Sequence, residues 1–63
     1  MTYVLVYCPA MGVFALEGPD MIRRTLTEQE LRAVFKDNAT LNAWADYAKA
    51  HPNVEVLYDM LPT

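Results

Sequence analysis

The sequence predicts an α+β fold: a small, mostly antiparallel sheet of three to four strands, with two short helices packed on one face, in the order ββ(β)ααβ. Three observations predict it. Two β-branched and aromatic runs, YVLVYC (3–8) and VFALE (13–17), flank the turn-forming tetrapeptide PAMG. A capping-box signature, TEQE (27–30), precedes apolar residues at helical spacing. The segment NVEVLYDML (53–61) alternates between two faces, as a last strand does.

The first run has no polar interruption, so it reads as a strand apolar on both faces. Tyr3, Leu5 and Tyr7 point one way; Val4, Val6 and Cys8 point the other. In PAMG, Pro9 presets the φ of a type I turn and Gly12 supplies a left-handed residue where the chain re-enters the ladder. The result is a β-hairpin with a four-residue loop. GPD (18–20) signals a second turn. MIRRTL (21–26) reads either as a strand or as a helix start capped by Asp20. A short third strand is the better reading, because Thr27 offers the stronger helix start.

From there Leu31, Val34 and Phe35 recur at helical spacing. KDNAT (36–40) is rich in turn formers, and a second helix over about 40–50 places Leu41, Trp44, Ala45 and Ala48 on one face. Positions 31, 34, 38, 41, 45 and 48 also keep a heptad-like spacing, so one bent helix is the alternative. His51-Pro52 ends the helix, since the residue before proline disfavours the α region. In the last segment Val54, Val56, Tyr58 and Met60 share a face, with Glu55, Leu57 and Asp59 opposite.

Sixty-three residues make one domain, 1–63, with little core to spare. The 54 % hydrophobic and 21 % charged fractions are those of a folded chain. One cysteine excludes an internal disulfide framework, and one Cys with one His falls short of a structural zinc site. The expected substitute is oligomerisation or a partner. MTYVLVYCP lacks the basic region of a signal peptide and no stretch reaches membrane-spanning length, so a cytoplasmic chain is expected. No cofactor is expected, and the net charge of −3 disfavours nucleic acid.

The candidate sites are few. Cys8 reads as a small strand residue rather than a nucleophile, because nothing in the sequence places a base or cation beside it. The Cys8-Pro9 dipeptide resembles the short haem-regulatory motif over those two residues only. His51 reads as a helix-terminal cap acting on the dipole. The eight carboxylates are dispersed, with Glu28 and Arg32 forming an i,i+4 pair. Arg23, Arg24, Arg32 and Lys36 hold four of the five basic residues within fourteen positions, a local basic cluster without interleaved aromatics.

The function these features predict is a non-enzymatic protein-binding module. Such small acidic domains are often accessory inhibitors or modulators of larger machines, as phages and mobile elements encode them. The expected partner or homodimer interface is an uncovered sheet face carrying Tyr3, Leu5, Tyr7 and Leu57, with Tyr47 as a further aromatic anchor. The alternative is a dimeric nucleic-acid-associated regulator using Arg23, Arg24, Arg32 and Lys36.

Overall fold

The structure, a computed structural model, describes residues 2–59. Four strands and two helices follow one another as β1 (Thr2–Cys8), β2 (Val13–Glu17), β3 (Arg23–Thr27), α1 (Glu28–Phe35), α2 (Ala39–Ala50) and β4 (Val56–Asp59). The strands form one antiparallel sheet in the order β3-β2-β1-β4. The α+β architecture read from the sequence is therefore the one observed, with the optional third strand present and the helical region divided in two.

The hairpin sets the register of the sheet. Met11 and Gly12 donate from N to the Cys8 carbonyl oxygen at 3.2 and 2.9 Å, and Gly12 sits at φ 66°. This four-residue loop pairs Cys8 with Val13, and hence Tyr7 with Phe14 and Leu5 with Leu16. The second turn starts β3 two residues later than expected. Met21 occupies φ 61° and donates from N to the Gly18 carbonyl, while the Asp20 carboxylate accepts from the Ile22 N–H. Residues 21 and 22 are thereby committed to the turn, and the strand covers 23–27 instead of 21–26.

The capping box forms as the sequence requires. Thr27 Oγ1 accepts from the Glu30 N–H at 3.2 Å, and Glu30 Oε1 accepts from the Thr27 N–H at 2.9 Å. The break between helices falls at Lys36, whose φ of 54° and ψ of −129° stop α1. Asn38 then caps α2 by accepting from the Leu41 N–H. Val34, placed by spacing on the buried face, is 63 % exposed, because α1 presents Leu31 and Phe35 to the sheet instead. β4 is shorter than expected: Asn53, at φ 65°, donates from N to the Tyr7 carbonyl, and pairing with β1 begins at Val56. Met60 and Leu61, expected to continue this strand, lie outside the described residues.

Both helices pack on the same face of the sheet, α1 over β3 and β2, α2 over β1 and β4. Leu5, Phe14, Leu31, Phe35, Trp44, Ala45 and Ala48 form the buried core, with Tyr3, Tyr7, Leu16, Leu26, Val56 and Tyr58 packed around it. This overturns the expectation that Tyr3, Leu5 and Tyr7 lie on an uncovered face. They form the helix-facing side of β1, and Leu5 is completely buried.

Two substitutions test the local design. Thr27→Ala removes the capping box and is expected to cost about 1 kcal/mol, a fall of roughly 4–8 °C in Tm for a domain of this size. Lys36→Gly relieves a backbone conformation that suits only glycine and is expected to raise stability by up to about 1 kcal/mol, read as a higher denaturant midpoint. A destabilised Lys36→Gly variant would show that the break between helices is set elsewhere.

Candidate docking surface

The strand registers place residues in cross-strand rows on the face turned away from the helices. One row is Asp59–Thr2; the next is Leu57–Val4–Glu17–Arg23; then Val6–Ala15–Thr25; and last Cys8–Val13–Thr27. The centre of this open face is apolar, built by Val4, Val6, Cys8, Val13 and Ala15, all half-buried among their neighbours. Leu57, on the edge strand, is 64 % exposed. A solvated sheet face ordinarily alternates to polar residues, and here that alternation is confined to the rim. Glu17 and Arg23 form an ion pair of 3.7 Å at one corner. The Thr2 hydroxyl donates to the Asp59 carboxylate at the other edge of the same end.

Of the residues expected at an interface, Leu57 therefore lies on this face and Tyr3, Leu5 and Tyr7 do not. Tyr47 is exposed on the flank of α2, its ring 4.3 Å from that of His51, and belongs to the helical layer. Sequence reasoning missed Val4, Val6, Val13 and Ala15. A usable signal was present. The four-residue loop aligns Tyr7 with Phe14 and Leu5 with Leu16, so one face collects the bulky side chains and the other the small ones. Burial energy scales with apolar area, so the bulky set goes inside.

The expected basic cluster is dispersed. Arg23 lies on the open face beside Glu17, whereas Arg24 pairs with Asp20 at 3.3 Å in the turn before β3. Arg32 lies between the helices. It donates to Glu28 at 3.1 Å, to Asp46 at 2.6 Å and to the Asn42 carbonyl oxygen at 3.1 Å, so it ties α1 to α2. Lys36 sits at the C-cap of α1. With three of the four already held by carboxylates on different elements, the cluster presents no shared cationic surface. Glu28 also accepts from Lys49 at 3.0 Å. These two contacts, Lys49 first and Arg32 second, hold the Glu28 carboxyl below its ordinary value of 4.5.

Other features offer less chemistry. Cys8 is a free, half-buried thiol at the end of β1. Among the described residues, no three His, Cys, Asp or Glu side chains group closely enough to hold a metal ion. Among the same residues, no helix is long and apolar enough to cross a membrane. An apolar groove of about 190 Å³ opens between the helices and the sheet, lined by Tyr3, Leu16, Val34, Phe35, Leu41 and Trp44. It is smaller than the roughly 300–1,000 Å³ of ligand clefts and has none of their convergent polar groups. No protein family profile matches the chain, and no curated protein or solved structure resembles it at a significant level.

The Glu28 network predicts a pH dependence. Because the folded-state value is lowered, the carboxylate's stabilising contribution is fully present above pH 4.5 and is lost as pH falls through the folded-state value. Denaturation of wild type and Glu28→Gln in acid is expected to give a steeper loss of stability for wild type. Parallel curves would mean that the pairs contribute nothing to folding.

Proposed function

We propose that this protein is a non-enzymatic protein-binding module, an accessory inhibitor or modulator whose protein contacts are made through the open face of its sheet. The observation that carries this reading is the apolar centre of that face, Val4, Val6, Cys8, Val13 and Ala15, left bare by helices that both pack on the other side. Contiguous apolar surface rimmed by polar residues marks interaction sites. The rim here supplies polar and charged groups for specificity: Thr2, Asp59, Glu17 and Arg23 at one end, Thr25 and Thr27 along β3. An open sheet face of valine and small side chains suits association through shape and desolvation rather than chemistry on a substrate, which needs a concave, polar-lined site.

Site-resolved photocrosslinking tests this. A photoreactive residue at position 6 or 57, on the open face, is expected to form adducts in the host cell. The same residue at position 34 or 47, on the helical layer, is expected to form few. Adducts confined to positions 34 and 47 would overturn the assignment of the face. Absence of adducts at all four positions would overturn the docking function.

A further inference from the structure

We propose that the occupant of the open face is a second copy of this chain, related by a twofold axis running parallel to the strands between β1 and β2, with Arg23 of each copy reaching Asp59 of the other. The inference rests on the reading of the open face as a docking surface and names what docks there.

The argument is one of complementarity. Arg23 lies on one edge strand and Asp59 on the other, both at the same end of the sheet, with Arg23 in the row of Leu57 and Asp59 one row further out. Two sheets can stack face to face, about 10 Å apart, with their strands roughly aligned. A twofold axis along the strands keeps the ends together and exchanges the edges. It carries β3 of one copy over β4 of the other, so Arg23 arrives above Leu57. Its methylene stem then covers a side chain that is 64 % exposed in the single chain. Its guanidinium has to span one further row, roughly 6.6 Å along the strand, to meet the Asp59 carboxylate.

The same operation sets Val6 over Ala15 and Val13 over Cys8, so the apolar centres meet. Val4 lies over Glu17, whose charge its own Arg23 already compensates at 3.7 Å. The alternative axis, running across the strands, exchanges the ends and sets β3 over β3, so Arg23 meets Thr25 or Thr27 according to the row the axis passes through, and both charges are left without an opposite partner. Only the first arrangement is self-complementary, as an isologous contact must be. Four strands about 4.8 Å apart and up to seven residues long present roughly 400 Å² in projection. That is about half of the roughly 800 Å² per partner of a standard stable interface, so the dimer is weak and concentration-dependent.

Sedimentation of the full chain, alone and in mixtures, tests this. Wild type is expected to self-associate, and Val6→Lys to be monomeric with an unchanged circular dichroism spectrum. Arg23→Asp and Asp59→Arg, each alone, are expected to raise the dissociation constant about tenfold or more, because each sets two like-charged pairs against one another. An equimolar mixture of the two is expected to restore association, since both contacts become opposite in sign. Arg23→Asp lowers the net charge of −3 by two and Asp59→Arg raises it by two. The mixed pair therefore carries the total charge of the wild-type dimer, and the less acidic Asp59→Arg should weaken association even though general repulsion falls.

A monomeric wild type overturns the second copy as occupant, while the crosslinking at position 6 decides the docking face independently. Self-association that survives Val6→Lys also overturns it, by placing the contact elsewhere. Association lost with Val6→Lys but not restored in the mixture overturns the Arg23–Asp59 arrangement. Should a charge-reversal variant fail to fold, Arg23→Gln and Asp59→Asn replace them. The double variant is then expected to be no weaker than either single one, and additive losses would overturn the pairing.

Discussion

Trp44 holds the helical layer to one side of the sheet, and the identity of that side depends on it. Its ring lies 6.0 Å from Phe35 of α1 and 5.2 Å from Tyr58 of β4, so it joins both helices to the edge strand. Its Nε1 donates to the Val56 carbonyl oxygen at 3.1 Å, which satisfies the one polar atom that burial of an indole would otherwise strand. With α2 anchored on β4 and β1 in this way, Tyr3, Leu5 and Tyr7 go under the helices. Val4, Val6 and Cys8 are left outside. The open face is thus what remains once the aromatic core has been assembled.

The charged side chains follow the same division. Arg32, Glu28, Asp46 and Lys49 form a network that ties the two helices together, and partly exposed pairs of this kind are individually weak. Their value is in fixing the helix pair as a unit above the sheet. The pair on the open face, Glu17 with Arg23, sits at a corner instead of a centre, where it leaves the valines uninterrupted. A protein of sixty-three residues has little core to stabilise it. Covering the open face would add buried area where the monomer has none to add.

Much of the fold was legible because local signals and tertiary demands agree. Pro9 and Gly12 specify the hairpin loop; Thr27 and Glu30 specify the start of α1; Asn38 and His51 bound α2. Each acts through backbone groups a few residues away. The boundaries that moved did so through contacts that spacing does not encode. Asp20 takes the Ile22 N–H and delays β3. Asn53 reaches the Tyr7 carbonyl and delays β4. The basic cluster looked continuous in sequence because Arg23, Arg24, Arg32 and Lys36 are close along the chain. A strand, a turn and a helix between them send the three arginines to different carboxylates.

The sequence by itself determined the order of elements, the hairpin and its register, and the division of β1 into two alternating sets of residues. It also determined that both sets are apolar, and for that reason alternation could not say which set would be buried. Side-chain size favoured one set, and the tertiary structure made it the buried one by docking two amphipathic helices on that side. The larger side chains of Tyr3, Leu5, Tyr7, Phe14 and Leu16 meet Leu31, Phe35 and Trp44 there. The physical reason is area: bulky aromatic and leucine side chains remove more apolar surface from water than valine, alanine and cysteine do. The helices cover the face that buries more, and the smaller residues are left on the open face.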